Sequence, residues 1–347
     1  MTLEVIPVTG MPEVRSGDDL AALLGAALTR IGLALADGDV LVVSSKVASK
    51  AAGLTAPAAG RSSVIAAQSR RVVAERDTGA AMTQVVEAAA GPVMAAAGVD
   101  ASNTGPEDEL LVLPSDPDAV CREVRDRLCA AAGVTRLAIV LSDTAGRPWR
   151  AGQVDFALGC AGLVVLDDLA GTPDADGRTL SVTARALADE VASAADLVKG
   201  KAAGIPAALL RGLGDVVVEG PGAGARAILR VGAGDWFAYG WAEAVRAALG
   251  VEPGTPLAHR LGVASTAPEP VRERISRAVA VALHGLDTVG VDVGEHEVLV
   301  TGPDPVERGI AAARVCVALF GEGVHGRIVG VPSAPGAGVR VTLTHTR

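Results

Sequence analysis

Histidine is missing from the first 250 residues of this 347-residue chain; all five (His259, His284, His296, His325 and His345) come later. That absence excludes a histidine base, a Ser-His-Asp constellation and a histidine-bearing zinc centre there, and leaves carboxylates, hydroxyls and bound cations. Aromatic residues are scarce at 2%, so the core must be built from Ala, Val and Leu packed around 42 glycines. The four cysteines (Cys121, Cys129, Cys160, Cys316) show no paired spacing of a zinc or redox motif. No apolar run approaches the ~18 residues needed to span a bilayer. The opening MTLEVIPVTG lacks a basic stretch followed by an apolar one, so the expectation is a cytoplasmic protein with no membrane partner. A formal charge of −9 argues against sequence-independent binding to nucleic acid, which needs clustered Lys and Arg.

What is present centres on residues 139–162, IVLSDTAGRPWRAGQVDFALGCAG. The short apolar run through Leu141 predicts a buried strand, and Ser142, Asp143 and Thr144 place two hydroxyls around a carboxylate at its end. Gly146, Pro148 and Gly152 are expected to turn the chain through a loop carrying Arg147, Trp149 and Arg150. A carboxylate beside a hydroxyl suits a hard cation such as Mg²⁺ or Mn²⁺, and the arginines suit phosphate or carboxylate. An aspartate satisfying its own turn would give the same local pattern.

Further strands are predicted at 3–8, 40–43, 110–113 and 205–210, with helices at 20–35, 64–75, 119–132 and 187–198. Residues 53–63, rich in Ala, Gly, Pro and Ser, read as a loop. After the 40–43 strand, Ser44, Ser45, Lys46, Ser49 and Lys50 form either an anion cradle or an ordinary solvated helix start. Asp100, Ser102 and Asn103 again put a carboxylate among turn residues after an apolar run. Asp189, Glu190 and Asp196 read mainly as a solvated helix face, and Lys199 and Lys201 as cations favoured by the helix dipole. The glycine-rich stretch from Glu219 to Arg226 matches neither the Walker A pattern nor the dinucleotide fingerprint.

Trp236, Phe237, Tyr239 and Trp241 gather four of the seven aromatics near the end of this region. The proline-glycine segment 252–256 then reads as a linker, giving domains at 1–248 and 249–347. The second is a small α/β module with helices at 271–283 and 305–319 and strands at 297–300 and 338–343. It shows no catalytic constellation, and its histidines read as structural or partner-binding.

Four segments in order, Gly10-Met11-Pro12-Glu13, Ser44 to Lys50, Ala97 to Asn103 and Ser142 to Gly162, resemble the coenzyme F420-0:L-glutamate ligase (F420 γ-glutamyl ligase) family. The patterns are a strand followed by S-K-x-x-S-K, then A-G-V-D-x-S-N, then S-D-T-x-G-R-x-W-R-x-G-Q-x-D, within residues 3 to about 245. Residues 251–347 do not resemble the flavin-binding domain fused to some bacterial relatives, so no FMN or reductase activity is expected of them.

The resemblance implies a mixed α+β F420 γ-glutamyl ligase-type fold, followed here by the small α/β module, and a homodimer. It implies a GTP-dependent ligase that adds L-glutamate to coenzyme F420-0, and then in γ-linkage to F420-1, through an acyl phosphate with release of GDP and phosphate. It further implies a pair of Mg²⁺ or Mn²⁺ ions, with room for K⁺. Asp100 and Asp143 would be metal ligands central to catalysis, with Thr144 on the second metal. Met11, Pro12, Glu13, Val14, Ser45, Lys50 and Asn103 would contact GTP, with Glu219 and Gly220 as looser candidates. Arg150, or Arg147, would hold an acidic substrate. The rival readings are a dinuclear-metal phosphotransferase or phosphatase that forms no amide, and a non-catalytic binding protein.

Overall fold

The computed structural model describes residues 2–102, 109–329 and 338–345. It forms two compact units, one of residues 1–70 and 87–234, the other of residues 71–86 and 235–347. Compared with the division expected at 248/249, the second unit also takes in residues 235–248 and the inserted segment 71–86.

The first unit is built on a five-stranded sheet in the order Glu4–Val8, Ala207–Arg211, Asp39–Ser44, Leu137–Arg147, Arg150–Ala161. Asp39–Ser44 and Leu137–Arg147 run parallel; every other neighbouring pair is antiparallel. The parallel pair is covered on both faces, which is why Val40 to Val43 and Leu137 to Leu141 are continuous apolar runs and are buried. One face packs through Val42, Val140 and Leu210 against Ala188, Val191 and Ala195 of the helix Leu187–Lys199. The helix Pro117–Ala132 packs on the last two strands. It begins where Asp116 accepts from the Ala119 amide at 3.0 Å with Pro117 at the first turn, and ends at Gly133, φ 71°.

Four local expectations are corrected. Leu137–Arg147 does not stop at Leu141 but continues into a long hairpin with Arg150–Ala161, with β-bulges at Leu141/Ser142 and Gly146/Arg147. A glycine inside an extended run marks a bulge as readily as a turn, and the turn itself falls at Pro148-Trp149, with Trp149 at φ 59°. The helix expected at 64–75 is a short helix, Arg61–Ala67, followed by a strand, Ser69–Asp77, in which Val73 and Glu75 alternate inward. β-branched Val72 and Val73 favour the pleated surface, and Met82–Ala88 supplies a partner. The 53–63 loop contains Thr55–Pro57, paired with Glu109–Leu111. The first helix, Leu20–Arg30, is shorter than expected because Gly32 turns into the left-handed region at φ 75°.

In the second unit, an antiparallel sheet runs Gly290–Val293, Glu297–Thr301, Val339–His345, Val324–Val329. Val298, Val300 and Val341 share its core with Ile275 of the helix Val271–Ala282 and with Val315 and Leu319 of the helix Pro305–Gly321. Both helices lie within two residues of expectation. Arg277 forks onto Glu269 at 2.8 and 2.9 Å and reaches Glu322 at 3.0 Å. His259 meets Glu75 at 3.0 Å.

Gly159 sits where the hairpin crosses the start of the Pro117–Ala132 helix: a Cβ there would stand 2.5 Å from the Pro117 carbonyl carbon and oxygen. Gly159→Ala is expected to lower stability by about 1–3 kcal/mol, as overpacking does. Urea denaturation measures it, and an unchanged midpoint would show that the helix start is free to move.

Candidate active site

Parallel pairing sets Ser44 against Ser142, so the carboxyl ends of both strands open side by side, the usual place for a ligand in such sheets. A cavity of about 500 Å³ lies there. Its walls are residues 11–14 before the first helix, the Ser44 to Lys50 strand-to-helix junction, Ser142 to Thr144 with Asp155, and the segment from Asp196 to Pro206.

Strand alternation distributes the polar groups. Ser142 and Thr144 point to one side, and Asp155 lies directly across from Thr144 on the partner strand. Thr144 Oγ1 donates to Asp155 Oδ1 at 2.6 Å, and Ser142 Oγ donates to Oδ2 at 2.9 Å. Lys199 Nζ donates to Ser142 Oγ and to Asp155 Oδ2, both at 2.7 Å, and Lys201 donates to Thr144 Oγ1. Asp155 and Lys199 are buried, so this is an ion pair largely out of water. Burial pushes the Asp155 carboxyl up, but the Lys199 charge, its hydrogen bond and the two hydroxyls outweigh it and hold the group below the ordinary carboxylate value.

Asp143 faces the other way and accepts from Ser45 Oγ at 3.0 Å. Burial raises its pKa to about 6; the Ser45 hydroxyl and the Thr144 amide offset this in part, and the charges of Asp155 and Asp100 add to it.

Asp100 follows a tight turn in which Ala96 and Ala97 hold positive φ (51° and 54°), a conformation costly for a residue with a Cβ. Backbone bonds to Leu111 at 2.8 and 3.1 Å then fix it. Its carboxylate meets Lys46 Nζ at 2.8 Å, and Lys46 also reaches Ser102 Oγ at 2.6 Å. Burial opposes ionisation of Asp100, but the Lys46 and Ser102 hydrogen bonds bring its pKa below the ordinary value. Lys50 pairs with Glu13.

Of the residues expected at the site, Met11, Pro12, Glu13, Val14, Lys50, Asp143 and Thr144 line the cavity. Ser45 stands behind Asp143, and Asp100 joins the wall through Lys46. Asn103 lies outside the described residues. Arg147 and Arg150 face each other at the exposed hairpin tip and do not line the cavity. Glu219 and Gly220 are not brought to it either. Their loop runs beside Gly162, at the end of Arg150–Ala161 remote from Asp155, with Val218 N to Gly162 O at 2.9 Å and Gly162 N to Pro221 O at 2.8 Å. Asp118 then ties it down, accepting from the Ala225 and Arg226 amides at 2.8 and 3.2 Å.

Sequence reasoning missed Asp155 and Lys199 and treated Lys201 as a helix-end cation. The signal for Asp155 was present as the last letter of the G-Q-x-D pattern. Lys199 carried none, because the helix dipole already accounts for a lysine there.

A carboxyl whose pKa is raised on folding contributes stability below its unfolded value, 3.8, and that contribution is lost as pH rises through its folded value, about 6. In EDTA, Asp143→Asn is therefore expected to stabilise the protein by about 2–3 kcal/mol at pH 7.5 and to change little below pH 4. Urea melts at the two pH values test this, and a variant weaker than the parent at pH 7.5 contradicts it.

The sequence profile of the family described as F420-0:Gamma-glutamyl ligase matches residues 9–212. Coenzyme F420:L-glutamate ligases of Archaeoglobus fulgidus and Halorubrum lacusprofundi are 37% and 36% identical to this chain, over 61% and 60% of it and over 89% and 87% of their own lengths. That of Haloarcula marismortui is 39% identical over 60% of the chain and 87% of its own length. Every segment that walls the cavity falls inside the matched span. The chain belongs to the F420-0:gamma-glutamyl ligase family.

Proposed function

We propose that this protein joins L-glutamate to coenzyme F420-0, and in γ-linkage to F420-1, at the expense of GTP. The observation that carries the reading is one cavity, inside the family span, where four ammonium groups (Lys46, Lys50, Lys199, Lys201) meet the Asp143 and Asp155 carboxylates and the Thr144 hydroxyl. Amide formation from a free carboxylate needs activation, because oxide is a poor leaving group. A carboxylate oxygen of the acceptor attacks the γ-phosphorus of GTP, the bond to the bridging oxygen breaks, and GDP departs with the electron pair. The glutamate nitrogen then attacks the acyl carbon of the resulting acyl phosphate, phosphate leaves, and the amine loses its proton.

The chain's residues support each need. Lys50, held by Glu13, and Lys46, held by Asp100, offer positive charge to phosphates, and Lys199 and Lys201 extend it along the opposite wall. Arg147 and Arg150 lie at the hairpin tip outside the cavity, so an acidic substrate would meet their guanidiniums only where it extends beyond the cavity.

The donor set fits hard divalent cations, with Asp100, Asp143 and Thr144 as oxygen ligands. The raised pKa of Asp143 marks a buried carboxylate whose charge is under-compensated. Among the described residues no three acidic, His or Cys side chains form a cage alone, so Mg²⁺ or Mn²⁺ held here would draw its remaining oxygen ligands from phosphate and water. Bound there, such ions would neutralise the γ-phosphate and the incoming carboxylate.

Incubation of the protein with F420-0, GTP, Mn²⁺ and L-glutamate is expected to give deazaflavin products heavier by whole glutamyl units in mass spectra, with one GDP per unit. GDP released at the same rate without glutamate would favour the phosphotransferase reading. An unchanged acceptor mass with intact GTP would overturn the proposal.

A further inference from the structure

We propose that Asp155 is a positioning residue that turns the Thr144 hydroxyl proton inward, so that Thr144 presents only lone pairs to the cavity; the inference rests on the reading that a hard cation binds there. Asp155 lies in register across from Thr144 and takes its proton at 2.6 Å. An ionised carboxylate accepts and cannot donate, and a threonine hydroxyl has one proton to give. With that proton spent on Asp155, Thr144 Oγ1 is left as an acceptor, and the Lys201 ammonium in the cavity wall already donates to it. A cation is thus seated on the lone pairs that a divalent ion would use.

The rest of the network enforces the same direction. Ser142 Oγ gives its proton to Asp155 Oδ2 at 2.9 Å and accepts from Lys199 at 2.7 Å. Lys199 also bonds Asp155 Oδ2 at 2.7 Å, so each Asp155 oxygen is claimed from within the protein. Asp155 is 4% exposed and Lys199 3%, so the carboxylate keeps its charge partner and its two hydroxyl donors instead of exchanging them for water. Nothing in strand pairing calls for a carboxylate at this position. What it adds beyond structure is the direction of a proton. Outer partners that orient a metal's ligands typically govern its affinity by about 10–100-fold.

The test is Mn²⁺ titration of the full chain without GTP, glutamate or deazaflavin, reading free Mn²⁺ by electron paramagnetic resonance. Asp155→Asn keeps the shape but brings a donor and surrenders an acceptor. It and Thr144→Val are each expected to weaken Mn²⁺ binding about 10–100-fold, and the double variant no further than the weaker single, as for residues acting through one contact. Thr144→Ser, which keeps the hydroxyl, should retain affinity. Multiplying losses in the double variant would show that Asp155 acts without Thr144. A lowered urea midpoint for Asp155→Asn with parental Mn²⁺ affinity would mean a merely structural role. Both results overturn the inference. Should Asp155→Asn not fold, Thr144→Val binding Mn²⁺ like the parent would overturn it alone. None of these readouts uses ligase turnover, so the proposed reaction can fail while the titration still decides the role of Asp155.

Discussion

The cavity end of the first unit is governed by charge balance among carboxylates, of which Asp143 and Asp155 are the ones most withdrawn from water. Asp155 is held by Lys199, Asp100 by Lys46 and Glu13 by Lys50. Asp143 is the exception, and its raised pKa records the deficit. The cause lies in strand geometry: consecutive residues point to opposite faces, so the hairpin that gives Thr144 to the Lys199 side must give Asp143 to the Ser45 side. Burying a charge without a partner is unfavourable, whereas a paired one is tolerated, so under the proposed function a cation bound beside Asp143 would supply the missing partner. A polyphosphate arriving with divalent ions would exchange partners all round, ions to carboxylates and lysines to phosphates, without creating an unpaired charge.

Such an exchange needs the groups at fixed separations, and the sheet supplies them. The parallel register aligns Ser44 with Ser142, the bulge at Leu141/Ser142 resets the phase of the hairpin as it leaves the core, and Gly159 allows the Pro117–Ala132 helix to lie against it. Left-handed Ala96 and Ala97 aim the Asp100 turn toward Lys46. The Leu141/Ser142 bulge and the left-handed Ala96 and Ala97 thus stand next to the segments that form the cavity, whereas the Gly146/Arg147 bulge and left-handed Trp149 belong to the exposed hairpin tip.

This division also explains what the sequence revealed. Buried parallel strands leave unbroken apolar runs, so 40–43 and 139–141 were legible, and the cavity-lining residues that follow each, Lys50 a helix later and Asp143 and Thr144 directly, could be placed with them. Long amphipathic helices such as Val271–Ala282 and Pro305–Gly321 announce themselves by period. Asp155 was not legible as a site residue, because its meeting with Thr144 depends on a hairpin whose turn and bulges could be interchanged on local grounds. Lys199 was hidden for a different reason: two physical roles, dipole cation and buried counter-ion, demand the same residue at a helix end. The 64–75 stretch misled because Val64 and Ile65 belong to a helix and Val72 and Val73 to a strand, and a single window merges both periods.

A linear boundary fails for the second unit on similar grounds. Glu75, from the inserted segment 71–86, is buried and accepts from the Gly254 amide at 3.0 Å, from Gln84 at 3.2 Å and meets His259 at 3.0 Å. Glu243, also buried, accepts from the Glu75 amide at 3.2 Å and from Arg76. Apart from Gln84, the groups that solvate these acids are more than 160 residues away, so the insertion is part of the unit's polar interior and not a loop laid over it. Removing residues after 248 would leave Glu75 without Gly254 and His259 while its strand still demanded burial of Val73. The chain passes between units at 70/71, 86/87 and 234/235, so the second unit joins its C-terminal residues to a segment embedded in the family-matched span.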